Sequence, residues 1–536
     1  MPQSIFYNGN IYTLDSENSM VQALAVRDGR ILATGADGEI LRLAHDQTRL
    51  IDLRGHAVIP GIFDSHIHVL QIGVKLTRIR LDECRSPGEM AELVHARAQE
   101  TPPGQWIIGE GWNEARFDAA RLPTRADIDW ATDRHPVMLQ RFFNTDLVNS
   151  VALRLAGITR HTPDPHQGRI EKDADGEPNG LIRAGAKPLV RDLLPQPTRD
   201  ELVAAFRLAQ EELHSFGITS ALDPGLYPWE MRAYAAAYRQ DQLRLRMNIM
   251  PSWHGFHEDE TEAQLNARAR ELGVNSGLGD EWLRLGGLKM AIDGGTSPHT
   301  AFMYEPFEGE SVVHDFNRLS TDNLLAYFGA AQELGWDVGI HVCGDRALDM
   351  VTAAFAQVAR DIPWPDARHS AIHAYFPSPE ALARMAKHNV AAVIQPTFLY
   401  WEGDDIFRDV GRYRAANYKP ARAYLDHGVR VMASSDAPST VSANPFPALY
   451  ALVTRKNNLG HTVAPDQALT REEALRAYTI NGAWLTREER LKGTLEPGKV
   501  ADFVVLDRDY FTVAQEEIKE ICPLMTVLDG LAVFEA

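Results

Sequence analysis

From about residue 86 the sequence alternates helical patterns with short apolar runs, and few architectures accommodate that alternation. ELVAAFRLAQEELHSFG precedes ITSALD, NLLAYFGAAQELG precedes WDVGIHV, and ALDMVTAAFAQVARD precedes AIHAY. SPEALARMAKHN then precedes VAAVIQP and PARAYLDHG precedes VRVMASSD, with a terminal Asn or Gly closing the helix just ahead of the strand. Repeats of this kind build βα architecture. A doubly wound sheet and a closed barrel both produce the pattern, but a barrel predicts polar functional residues at the carboxyl ends of many strands, as found here.

The two chain ends read differently. SIFYNGNIYTLD and MVQALAVRDGRILATG are short strands, in which Asn8-Gly9 and Asp28-Gly29 are expected to form tight hairpin turns within antiparallel sheet. HAVIPGIFDSHIHVL adds a Pro-Gly turn and a buried strand that stops where the polar residues begin. GTLEPGKVADFVVLDRDYFTV and ICPLMTVLDGLAVFEA return to short strands. Neither end makes a complete sheet domain, so both are expected to contribute to one small β-sandwich beside an α/β barrel. The expected division is residues 1–58 and 489–536 for the sandwich and 59–488 for the barrel. An inserted subdomain is expected at 86–185, a stretch with Trp106, Trp112 and Trp130 that is longer than one loop and helix require.

Charge narrows the partners. Asp and Glu number 73 against 54 Lys and Arg, a net charge of −19, which argues against a nucleic-acid backbone or an anionic membrane. The three cysteines, Cys84, Cys343 and Cys522, are far apart and suggest a reducing compartment with no disulfide framework. No signal-peptide pattern opens the chain and no run of about twenty apolar residues interrupts it, so a cytoplasmic protein is expected. Phosphate-binding glycine patterns are missing. The partner expected is a small-molecule substrate, with a homodimer as the modest guess for assembly.

The chemistry concentrates at a few strand ends. In Asp64-Ser65-His66-Ile67-His68, alternation along an extended segment directs both imidazoles to one side, where they can share a metal. Lys289 lies in the apolar run LGGLKMAIDGG, an expensive place for an ammonium group unless it is paired, reaches solvent, or is chemically altered. His341 ends WDVGIHV, His373 follows SAI, and Asp436 ends VRVMASSD. Each has an ordinary alternative, such as a surface lysine or a helix cap. Together they are the right ligands for a hard or borderline divalent metal, zinc foremost.

At these residues the chain resembles the amidohydrolase superfamily, in particular its large bacterial and archaeal branch that includes N-substituted formamide deformylase. YNGNIYTLD, HAVIPGIFDSHIHV, HSFGITSALD, LKMAIDGG, IHVCGDRALD, QPTF, SSDAP and GTLEPGKVADFVVLD occur in the order of that branch. The resemblance implies a deformed (β/α)8 TIM-like barrel with a β-sandwich from both chain ends. It further implies one or two zinc ions, with two expected, held by His66, His68, Lys289, His341, His373 and Asp436. Lys289 would be carboxylated and bridging. Asp436 would be the catalytic proton-transfer group for metal-activated water attacking a nonpeptide amide.

Departures affect the substrate. Phe142-Phe143-Asn144 stands where relatives often carry Asp-Gly-His, and Ala184 and Ile372 stand where they usually carry glutamates. These changes weaken transfer of a deformylase substrate. Trp112, Phe143, Asn144, His299, Tyr304 and Tyr400 are candidate substrate contacts, with core or lid packing as the alternative for each. Cyclic amidine deamination and cyclic amide or ester hydrolysis would use the same chemistry. A decayed hydrolase serving as a small-molecule binding protein is the non-enzymatic alternative.

Overall fold

Eight parallel strands succeed one another in chain order: Ile62–Asp64, Ile218–Leu226, Arg246–Pro251, Leu283–Leu285 continuing after a break as Leu288–Ala291, Val338–Val342, Ser370–His373, Ala391–Ile394 and Val431–Ala433. This computed structural model describes residues 1–118, 121–141, 145–165, 168–253, 267, 270–271 and 273–536. The strands pair in two arcs that part at the interruption in the fourth, where Ser252 still bridges to Lys289. At the other seam the eighth strand meets the first: Ser65 N–H donates to Ala433, and Asp436 N–H donates to the His66 carbonyl at 2.8 Å. The result is a deformed α/β barrel. Phe63, Leu222, Met250, Ile372, Val393 and Met432 fill its interior.

The helix-then-strand units appear where the periodicity predicts them. Arg199–Ser215, Thr321–Glu333, Asp345–Asp361, Pro379–Lys387 and Ala421–Asp426 each precede a barrel strand. Asn389 at φ 55° and Gly428 at φ 80° terminate the last two helices.

Two sheets stand beside the barrel strands in the same compact unit, which comprises residues 1–72 and 202–536. One is mixed and drawn from both chain ends, in the order Leu531–Glu535, Pro523–Leu528, Phe503–Leu506, Ala57–Pro60, Asn10–Tyr12, Met20–Val21. The other is built from Arg30–Gly35, Ala23–Arg27, Ser4–Tyr7 and Arg49–Asp52. Phe6, Leu24, Val58, Phe503 and Val505 share one core between them, with the Phe6 and Phe503 rings edge-on at 4.8 Å.

Asp28-Gly29 makes the expected hairpin, pairing Arg27 with Arg30. Asn8-Gly9 does not. Its flanking strands belong to different sheets, and each also has a parallel neighbour, so this turn carries the chain from one sheet to the other. Pro60-Gly61 likewise passes the chain from the sandwich to the first barrel strand. A Cβ at Gly61 would lie 2.2 Å from Thr219 Oγ1, so only glycine fits.

The second compact unit, residues 73–201, has its own six-stranded sheet, from Ile79–Arg80 at one edge to Gly168–Lys172 at the other. Met90, Val94, Ile107, Trp112, Leu139 and Leu147 are buried in one of its cores. Among the described residues, no helix is long and apolar enough to cross a membrane.

Candidate metal centre

The strand ends converge on a cavity of about 270 Å³ lined by His66, His68, Lys289, His341, His373 and Asp436, together with Asp223, Glu230, Gln71 and Ser439. His66 and His68 follow the first strand, Lys289 lies in the fourth, His341 in the fifth, and His373 ends the sixth. Asp436 lies just beyond the eighth. All six metal candidates from the sequence are therefore brought together.

Asp436 is the focus. Its Oδ1 lies 3.4 Å from His66 Nε2 and 3.3 Å from His68 Nε2. Burial works against its charged form, but the two imidazoles outweigh burial and hold the carboxyl well below the usual range. Asp436 and His373 both occupy left-handed backbone, at φ 59° and 75°. Such conformations cost energy and persist where the surroundings impose them, as at a site.

The imidazoles divide by environment. Burial and the Lys289 charge push His66 down to about 3 and His341 down to about 4. Burial and then His341 hold His373 well below its ordinary value. These three rings are neutral near pH 7 and keep a lone pair. Burial opposes protonation of His68 as well, yet Asp223 and Asp436 prevail and push it up to about 9. Burial pushes Lys289 down to about 8. Lys289 is half-buried, its side chain lining the cavity.

Two donor clusters result. His66, His373 and Asp436 offer atoms within 4.8 Å of one another, and so do His341, Cys343 and His373. Sharing His373, they form a candidate binuclear centre. Imidazole and carboxylate donors converging in a largely buried cavity fit a divalent metal.

Three positioning groups are absent from the sequence-derived set. Asp223 Oδ2 accepts from Val69 N–H at 3.0 Å and Tyr234 O–H at 2.6 Å, while Oδ1 lies 3.7 Å from His68 Nδ1. Gln395 Oε1 lies 2.7 Å from His373 Nδ1. Asp293 accepts the backbone N–H groups of Phe302, Cys343 and Gly344. Each occurs in one of the quoted landmark segments or at its edge, in LDPG, QPTF and AIDGG, and strand-end position was the signal that could have found them.

The aromatic candidates are placed elsewhere. Trp112 is fully buried in the second unit, where its ring N–H donates to the Leu139 carbonyl at 2.9 Å. Tyr400 packs edge-on to Trp401 and Tyr450. Tyr304 is 55% exposed and donates to Asp349, while His299 bonds Glu310 at 2.8 Å and stacks on Phe307. None of His299, Tyr304 and Tyr400 lines the cavity. Phe143 and Asn144 lie outside the described residues, as do Phe142, His254 and His257.

The barrel and its cavity of strand-end histidines, lysine and carboxylate define a metal-dependent hydrolase fold. The model for the Amidohydrolase family matches residues 49–534, and the chain belongs to that family. It is 29% identical to Protein LONG AFTER FAR-RED 3 of Arabidopsis thaliana over 93% of this chain and 86% of that one. It is 27% identical to N-substituted formamide deformylase of Arthrobacter pascens over 100% and 99% of the two chains. Among solved structures, a metal-dependent hydrolase from Pyrococcus furiosus superposes with a TM-score of 0.78 at 27% identity, covering 95% of this chain and all of that one.

Proposed function

We propose that this protein hydrolyses a nonpeptide amide bond of a small organic substrate at a binuclear zinc centre. The observation that carries the reading is Asp436 Oδ1, which stands within 3.4 Å of two imidazole nitrogens at the cavity wall. In this reading residues 59–488 supply the hydrolase barrel with an inserted subdomain at 86–185, and residues 1–58 and 489–536 supply the sandwich. The Arthrobacter relative makes N-substituted formamides the first substrates to try.

His66, His68 and Asp436 would hold one ion, His341 and His373 the other, and Lys289 would bridge them. A carboxylated Lys289 removes a cation that the metals would repel and adds an anionic oxygen donor. Bound metal supplies Lewis acidity and brings the pKa of water from nearly 16 toward about 7. Asp436 accepts the proton of the attacking water and passes it to the leaving nitrogen. Gln395 engages Nδ1 of His373 and leaves Nε2 as the edge that would ligate metal, so in this reading His373 serves as a ligand and not as a proton-transfer group. Ile372, where relatives usually carry glutamate, packs in the barrel interior and offers the substrate no acid.

The test is a screen of zinc-loaded protein against N-acyl amines, cyclic amides, esters and amidines. Turnover of an amide is expected. Fully metal-loaded protein that hydrolyses none of these classes overturns the reading. Metal analysis of Lys289→Met should give about half the metal of the parent, and undiminished binuclear occupancy rejects the bridge.

A further inference from the structure

We infer that Glu230 is a specificity-determining residue of this cavity, where its carboxylate receives a protonated amine carried by the substrate. The inference rests on the hydrolase reading above and names its substrate class: amides bearing an ammonium group a short chain away from the scissile bond.

The second barrel strand, Ile218–Leu226, runs through Tyr227 directly into the helix Pro228–Arg239. That junction lies at the carboxyl end of the strand, the face on which a barrel builds its site. Glu230 and Tyr234, four residues apart, share one face of the helix, and both are buried. Tyr234 O–H donates to Asp223 Oδ2 at 2.6 Å, which seats this face against the strand. Glu230, one turn nearer the strand end, is thereby placed on the cavity wall with Asp223, Gly225 and Leu226.

Only one of its two oxygens is engaged. Oε2 accepts Tyr227 N–H at 2.9 Å, and among the described residues no donor bonds Oε1 and no lysine or arginine pairs with the carboxylate. The residue is nevertheless 7% exposed. Burial pushes its carboxyl up to about 7, and Asp223 adds to the effect against the hydrogen bond from Tyr227. Helix capping accounts for the bond to Tyr227, but a cap works equally well in water, and glutamine would cap without burying a charge. A buried carboxylate with a free oxygen at a cavity wall is matched instead to a cation that arrives there. The rest of the wall agrees. Asp223, Glu230 and Asp436 bring carboxylates to it, whereas among the described lining residues there is no arginine, and the one lysine, Lys289, is the bridging ligand of the proposed centre. An anionic substituent would find no partner here.

Zinc-loaded full-length protein is offered mono-N-acyl diamines, ω-aminoacyl amides, and neutral amides in which methyl replaces ammonium, each over a range of chain lengths. The first series puts the cation on the leaving side and the second on the acyl side. One cationic series should exceed its neutral counterpart about 10–100-fold in kcat/KM. Glu230→Gln keeps an acceptor for Tyr227 N–H and removes the charge. It should bring that ratio close to unity by raising KM for the cationic amide with kcat little changed. Parent protein that hydrolyses neutral amides as well as cationic ones, a comparison that needs no variant, overturns this assignment and leaves the hydrolase reading standing. So does a variant in which the preference survives. Metal-loaded protein that hydrolyses no amide of any series overturns both.

Discussion

His373 Nδ1 lies 2.7 Å from the Oε1 of Gln395, and this contact settles which edge of the imidazole is free. The Gln395 amide nitrogen donates to the Val393 carbonyl at 3.1 Å and to Ser434 Oγ at 3.2 Å, which turns Oε1 toward the ring. Lys419 Nζ donates to the same oxygen at 3.2 Å. Nδ1 therefore carries the proton and Nε2 keeps its lone pair. Gln395→Leu removes the acceptor, and metal affinity should fall about 10–100-fold. Competition with a chromogenic chelator measures it, and unchanged affinity would reject the positioning role.

Asp436→Asn should lower kcat/KM by about 10²–10⁴-fold. The fold should survive, because Asn is among the few residues that tolerate the left-handed conformation found at φ 59°. Kinetics on the best substrate from the screen, alongside far-ultraviolet circular dichroism, separates the two effects. Full activity with normal folding would exclude Asp436 from proton transfer.

His369 couples stability to acid. Its Nδ1 accepts the Val338 N–H at 3.1 Å and its Nε2 lies 3.2 Å from Gln332 Oε1, so the buried ring is neutral. Burial, aided by Arg487, pushes it down to about 3 from 6.5. The unfolded chain takes up a proton below pH 6.5 that the native ring refuses. The stabilisation is therefore complete above 6.5 and is lost as pH falls toward 3, at up to about 1.4 kcal/mol per pH unit. Replacing the ring in His369→Asn should flatten the fall of Tm between pH 7 and about 5. Parallel curves for parent and variant would count against His369.

Arg246 of the third strand donates to both oxygens of Asp502, at 2.6 and 3.1 Å, and its side chain is fully buried. Asp502→Ala removes its two-pronged partner and leaves Asp529 Oδ1 and the Glu281 carbonyl, each at 3.3 Å, as remaining acceptors, and should cost about 3 kcal/mol. The double variant Arg246→Met, Asp502→Leu should recover part of the loss, since both buried charges go together and Asp529, which loses its partner, is partly exposed. Urea unfolding of both variants tests this, and a double variant no better than Asp502→Ala would contradict it.

The helix-then-strand succession was legible because it rests on near-neighbour physics: apolar period, terminal Asn389 and Gly428, and polar residues at strand ends. The convergence of the six candidate donors on one cavity was legible for the same reason, since strand ends in a barrel face one common cavity. The aromatic substrate candidates were not. Tyr400 and Trp112 carry the same local signals whether they line a pocket or fill a core, and the structure uses both for packing.

By itself the sequence determined the alternation, the paired histidines and the kinds of donor available. Only the tertiary structure decided that Asn8-Gly9 joins two sheets instead of closing a hairpin. It also decided that the first and eighth strands meet and that Gln395 orients His373. Those outcomes depend on strand order and register among segments far apart in the chain, and no local preference of a residue for helix, strand or turn encodes them.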